Sequence, residues 1–156
     1  MWARCPESAE DPDALEFAVW LHDAVYRPLR SDNEESSATL AAAWLRECPA
    51  ARADHVAVSS LILATRHPTP PESGDHALMQ DIDLHVLGSS PERYSEYEQQ
   101  IRREYRLVPG PLFRRRRAQL LEEFLQSESL YHTPWFRDEF EAAARRNLER
   151  ALAELR

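Results

Sequence analysis

The sequence predicts an all-α protein, a single-domain helical bundle of about seven helices. Apolar residues recur at helical spacing, and no alternating run is bounded by turn residues as a strand would be. Glycine is scarce, with three among 156 residues. A chain of 18.1 kDa is long enough to bury one core and too short for two. One domain is therefore expected over residues 1–156.

Proline and capping residues mark the ends of the predicted helices. A cap followed by proline suits the first helical turn, and this pair occurs at Asp11-Pro12, Ser90-Pro91 and Thr133-Pro134. Breaks follow at Pro28, Pro49, "HPTPPESGD" and "VPGP". The expected helices cover residues 12–27, 36–48, 52–66, 75–87, 91–106, 111–127 and 134–155, after a loose N-terminus at 1–11.

Composition limits the classes of function. Nineteen basic residues, all arginine, face 27 acidic ones for a net charge of -8, so nucleic acid is not expected as the main partner. The run "RRRR" at 114–117 lies among apolar residues, and helical spacing should turn one or two of these arginines inward.

No segment has the apolar length to span a membrane, and the start lacks a signal-peptide core. Cys5 and Cys48 show no paired spacing. A cytoplasmic protein without a membrane partner is expected.

Ionisable residues interrupt three apolar segments. His22 and Asp23 lie within "EFAVWLHDAVYRP", His67 ends "VAVSSLILATRH", and Asp81 and Asp83 lie within "ALMQDIDLHVLG". Such groups are costly to bury, and a divalent metal takes neutral imidazole and carboxylate as ligands. Asp81 and Asp83 are two residues apart and therefore point to nearly opposite sides of a helix, so at most one of them can face the same site as the His-Asp pair. A mixed metal site and separate core groups satisfied by hydrogen bonds both remain open.

Seven motifs in a fixed order suggest a family. They are "WLHDAVYRP", "DNEESSA", "ILATRH", "DIDLHVLG", "YSEYEQQIRREY", "FRRRRAQLLEEFL" and "ARRNL", and together they resemble the HD superfamily of metal-dependent phosphohydrolases, in particular its small bacterial branch. The resemblance implies an all-α fold in which an early histidine, an adjacent His-Asp pair and a later aspartate bind a divalent metal (Mn, Fe, Ni, Co, Zn or Mg). His22 and Asp23 match the pair. Asp83 matches the later aspartate better than Asp81, which remains an alternative.

The same resemblance implies hydrolysis of a small phosphorylated metabolite or nucleotide by a metal-activated water. Glu34 or Glu35 would orient that water or accept its proton. The alternative for these acids is to stabilise the N-terminus of the following helix.

Three further residues are candidates for contact with the phosphate: His67, Arg102 and Arg117. His67 has the alternative of closing its helix before Pro68. The two arginines have the alternative of internal ion pairs with Glu104 or Glu122.

The early histidine of the family has no counterpart, because "MWARCPESAEDPDAL" contains none. Either the chain begins later than its relatives, or His55, His67 or His85 replaces the ligand, or the metal site is incomplete. The alternative functions are a catalytically impaired HD-fold binding or regulatory domain and a purely structural helical domain. Loss of the N-terminal helix would expose apolar surface, so a homo-oligomer is expected.

Overall fold

The computed structural model describes residues 9–48, 52–66 and 70–156, and all regular structure in these ranges is helical. The predicted all-α fold with about seven helices is confirmed. The first six helices are α1 (Pro12–Leu21), α2 (Asn33–Glu47), α3 (His55–Ala64), α4 (Gly74–Leu84), α5 (Pro91–Glu104) and α6 (Gly110–Gln126). The last helical region comprises α7 (Pro134–Phe136), a π-helical turn (Arg137–Glu141) and α8 (Ala142–Leu155). None of the helices in these ranges combines the length and apolarity needed to cross a membrane.

The chain groups into two compact units, Met1–Asp83 and Leu84–Arg156. The prediction of a single domain over 1–156 stays a prediction. Of the N-terminus expected to be loose, residues 1–8 lie outside the described part of the chain. Just beyond them, the backbone N–H groups of Glu10 and Asp11 each donate to the carboxylate of Asp75 at 2.8 Å.

In the first unit, α3 packs against both α1 and α2. Asp11 caps α1 by accepting a hydrogen bond from the N–H of Ala14 at 3.0 Å, and Pro12 occupies the first turn. The buried face of α2 consists largely of alanines, so the helices can approach closely. This packing fixes the position of the end of α1.

Helix α1 ends at Leu21, so the prediction that it continues to residue 27 is wrong. Ser37 on α2 is fully buried; its Oγ accepts from the N–H of Val25 at 3.0 Å and donates to the carbonyl of the same residue at 3.3 Å. Asn33 holds Arg27 in the same way, with contacts of 3.0 and 3.1 Å. Side chains of α2 thus bind the backbone groups that a longer α1 would have used.

The second unit has an aromatic core around the last helical region. Tyr131, Trp135, Phe136 and Phe140 lie with ring centroids 4.9 to 6.2 Å apart in successive contacts. Gly88 ends a 3₁₀ turn (His85–Gly88) that packs directly on the π-helical turn and on α8. A Cβ at this position would lie 2.6 Å from the Cβ of Phe140, so only glycine allows the contact.

The arginine run in α6 divides as helical spacing predicts. Arg117 is buried, with 9% of its surface exposed, whereas Arg114, Arg115 and Arg116 are exposed. One arginine of the four therefore belongs to the interior of the second unit.

Candidate functional site

His22 occupies the C-cap of α1 rather than the middle of a buried helix, and 22% of its side chain is exposed. Its Nδ1 lies 2.9 Å from the carbonyl oxygen of Val19. A carbonyl can only accept, so Nδ1 carries a proton and donates it. The contact fixes the ring orientation and leaves Nε2 to face other groups.

Two carboxylates lie against His22 Nε2. Asp83 Oδ1 is 3.3 Å away and Asp23 Oδ2 is 3.4 Å away. Asp23 is in the turn after α1 with 67% of its side chain exposed, while Asp83 lies near the end of α4 with 27% exposed. The fold thus assembles an imidazole and two carboxylates from helix ends that are far apart in sequence.

The structure brings Asp83, and not Asp81, to His22. Asp81 is fully buried within α4, and the ion pairs of His22 are with the other two aspartates. Two residues along a helix turn the side chain to a different side, which accounts for the separation. Asp83 is therefore the one of the two that lies at the His22 cluster, and the alternative assignment of Asp81 as the later metal ligand stays a prediction.

The electrostatics of the cluster favour a positive charge at Nε2. Burial alone would lower the pKa of His22, but the hydrogen bond to Asp83 and the charges of Asp83 and Asp23 outweigh it and raise that pKa to about 9. The pKa of Asp23 is raised by partial burial, and repulsion from Asp83 and Glu34 adds to this against the attraction of His22. Because Asp23 is largely exposed, solvent limits this shift. Excess negative charge surrounds a single imidazolium.

The two acids in the first turn of α2 have different environments. Glu34 acts on Asp23 through its charge. Glu35 forms an ion pair with Arg66, whose guanidinium also donates to the carbonyl of Ser31 at 3.2 Å. Of these two acids, Glu34 is therefore the one whose charge acts on the His22 cluster.

The types of the donor atoms suit a divalent ion, and so do the two distances from His22 Nε2. Ligand atoms on a tetrahedral ion with bonds of about 2.1 Å lie about 3.4 Å apart, close to both separations from Nε2. Metal-binding histidines also commonly donate their other N–H to a backbone carbonyl, as His22 does. Within residues 9–48, 52–66 and 70–156, however, no three His, Cys, Asp or Glu side chains are grouped closely enough to hold an ion. The donor chemistry fits a metal, but the cluster is not a complete coordination shell.

Comparison with known proteins gives no relative, because no family model, no curated protein and no solved structure matches the chain. The resemblance to the HD superfamily therefore stays a prediction from sequence motifs. The geometry around His22 is independent of it.

The histidines considered as replacements for the early ligand belong to different elements of the chain. His55 begins α3, with Nδ1 3.4 Å from Asp54 Oδ1. His85 begins the 3₁₀ turn of the second unit. His67 lies outside the described residues, as does its predicted contact with phosphate.

Arg102 stabilises the loop between α5 and α6 through hydrogen bonds to its backbone. Its Nη1 donates to the carbonyl of Tyr105 at 2.7 Å, and its Nη2 donates to that of Val108 at 3.4 Å. The guanidinium also lies over the ring of Phe113, 4.8 Å from the centroid. These contacts explain the arginine structurally, and its predicted role in binding phosphate stays a prediction.

Arg117 forms a bidentate ion pair with Glu98. Its Nε and Nη2 donate to the two carboxylate oxygens at 3.2 and 2.6 Å, and the hydroxyl of Tyr94 donates to the same carboxylate at 2.7 Å. Neither Glu104 nor Glu122 is the partner. A phosphate could bind Arg117 only in competition with this pair, and its predicted role there stays untested.

Sequence reasoning missed the groups that position the site. Val19 contributes through its carbonyl and Ser37 through a hydroxyl on another helix. The first carries no signal in residue type. For Ser37, the signal was its place in the motif "DNEESSA", on a face of α2 that is otherwise alanine-rich.

Proposed function

We propose that the chain is a metal-dependent phosphohydrolase of the HD type that acts on a small phosphorylated metabolite or nucleotide. His22, Asp23 and Asp83 are the proposed ligands of the divalent ion, and their side chains would have to move closer together to hold it. The observation that supports this most directly is the approach of two carboxylates to Nε2 of one oriented imidazole, at 3.3 and 3.4 Å. The order of the sequence motifs supports the same assignment.

A bound divalent ion would polarise a phosphoryl oxygen and lower the pKa of a coordinated water. The residues of this chain supply the negative charge that attracts the ion and the carbonyl contact that orients His22. Glu34 is the proposed proton acceptor, because its charge already acts on Asp23 whereas Glu35 is paired with Arg66.

A specific observation favours a second candidate, a binding or regulatory domain with the HD fold and an incomplete metal site. No group of three ligand side chains closes around an ion in the part of the chain that the structure describes. Such a domain would bind metal weakly and would not hydrolyse phosphate esters.

Metal binding is tested by calorimetric titration of the chelator-treated chain with Mn²⁺, Ni²⁺ and Zn²⁺. His22→Gln and Asp83→Asn should each weaken binding at least about tenfold, because even an outer partner of a metal site is typically worth about 10–100-fold. Asp13→Asn is the matched control, since Asp13 is an exposed carboxylate of the same unit and lies at the opposite end of α1. Equal affinity for all four proteins would remove the proposed metal site.

Hydrolysis is then screened with phosphate monoesters and nucleotides in the presence of the best-bound ion. Activity that is abolished by Asp23→Ala and retained by Asp13→Asn supports the phosphohydrolase. Metal binding at the His22 cluster without turnover supports the binding domain. Activity that survives Asp23→Ala comes from another site and contradicts both assignments.

A further inference from the structure

Helix α2 presents a stripe of four residues beside its contact with α3. Glu35, Thr39, Ala42 and Arg46 follow one another at intervals of four, three and four residues, which keeps them on one side of a helix. All four line a groove of about 350 Å³ between α2 and α3. This groove has a carboxylate at one end and a guanidinium at the other.

The middle of the groove is small and partly apolar. Ala38 and Leu63 line it, and Ser59 from α3 donates to the carbonyl of Ala38 at 3.3 Å. Leu63 is 41% exposed and Val56, two turns earlier on α3, is 62% exposed. Small residues in the floor allow another helix to approach closely, and the exposed aliphatic side chains would lose contact with water as it does so.

The order of residues in the stripe is complementary to itself. At 1.5 Å per residue, Glu35 and Arg46 are about 16 Å apart along α2. When a second α2 lies antiparallel across a two-fold axis, Glu35 meets Arg46 of the second copy, and Thr39 meets its Ala42. The axis repeats each pair, so both ends are matched. A parallel arrangement would instead bring together like charges.

We propose that this groove is the interface of a symmetric dimer in which α2 of one chain packs antiparallel on α2 of a second copy. Exposed ion pairs contribute little affinity, so the Glu35–Arg46 pairs set orientation and register while apolar burial supplies attraction. Oε1 of Glu35 already pairs with Arg66 of its own chain, and Oε2 is buried without a hydrogen-bond partner. A contact with the second copy therefore requires this carboxylate to turn outward into the groove. Arg46 is exposed and has no ion pair among the described residues.

Charge reversal tests the proposal by sedimentation across the micromolar range with chelator present. The unmodified chain should show a concentration-dependent dimer. Arg46→Glu and Glu35→Arg should each weaken it at least about tenfold, because two like-charged contacts replace two attractive ones. A mixture of the two variants should restore the dimer, since each then supplies the charge that the other lacks.

Glu47→Arg is the matched control, because Glu47 is exposed on the same helix and outside the stripe. It should leave the dimer constant unchanged. Circular dichroism and thermal melting establish that each variant is folded. Arg46→Glu disturbs no described ion pair, so its result is decisive even if Glu35→Arg, which loses Arg66, fails to fold.

A chain that is monomeric throughout the range would overturn the proposal. So would a dimer that ignores Arg46→Glu, or variants that both fold yet do not associate when mixed. These outcomes are independent of metal binding, so failure of the interface leaves the proposed metal site standing.

Discussion

Individual ion pairs in this protein differ greatly in burial. Arg117 and Glu98 have side-chain exposures of 9% and 20%, whereas those of Arg156 and Glu122 are 68% and 43%. Burial alone would lower the pKa of Arg117, but the hydrogen bond and charge of Glu98 outweigh it and raise that pKa. The same chemical pair therefore has a different energetic value at each place.

Replacing Arg117 by Met should lower the free energy of unfolding by about 3 kcal/mol, because the carboxylate of Glu98 would remain buried without its cation. Arg156→Met should change it by less than about 0.5 kcal/mol, as is usual for an exposed pair. Urea denaturation of both variants measures the difference. Similar values for the two would show that burial does not govern the strength of these pairs.

At the scale of helices, sequence patterns identify elements more reliably than their ends. Helical spacing and proline-marked caps were sufficient to find all the principal helices. They placed the end of α1 too late because apolar residues continue past Leu21. The backbone after that point is held by Ser37 and Asn33 from α2, and a contact between separate elements leaves no periodic signal.

For the candidate site, the sequence likewise indicated the residues but not how they are arranged. Residue types alone indicated His22 and Asp23, and spacing on α4 required that only one of the two later aspartates face them. Which one does so depends on the rotation of α4 about its axis, which packing decides. The difference between Glu34 and Glu35 likewise depends on Arg66, a residue distant in sequence.

A methyl group added at Gly88, in the 3₁₀ turn before α5, should strongly reduce the stability of the protein. Gly88→Ala should destabilise the protein by about 1–3 kcal/mol, because the new Cβ would overlap Phe140, including its backbone oxygen at 2.9 Å. Gly110→Ala is the control, since its Cβ would meet only Arg114 at 3.5 Å, the end of a flexible side chain. Thermal unfolding should separate the two variants; equal melting temperatures would contradict the close approach.

For the whole molecule, charge is unequally distributed along the chain. The segment Met1–Asp83 carries 15 of the 27 acidic residues and 6 of the 19 arginines, while Leu84–Arg156 carries 12 and 13. The acidic excess belongs to the unit that contains the His22 cluster. Long-range attraction should therefore concentrate cations near that unit, and more so at low ionic strength.

Stability of the metal-free protein should depend on pH through His22. The pKa of this group is raised from 6.5 to about 9 in the folded chain. Its contribution is therefore complete below about pH 6.5 and is lost as the pH rises through about 9. The difference in unfolding free energy between the unmodified chain and His22→Gln, measured with chelator present, should shrink over this interval. An NMR titration that places His22 near 6.5 would contradict the paired geometry.

The hydrogen bond from His22 to the carbonyl of Val19 has a consequence for how this chain tolerates mutation. Since every residue type supplies the same carbonyl, substitutions at position 19 that preserve the helix should leave the imidazole in place. The requirement is instead that the last turn of α1 forms. The orientation of the His22 ring can thus persist while the residue that holds it varies freely, and the contribution of that residue would leave no trace in a comparison of sequences.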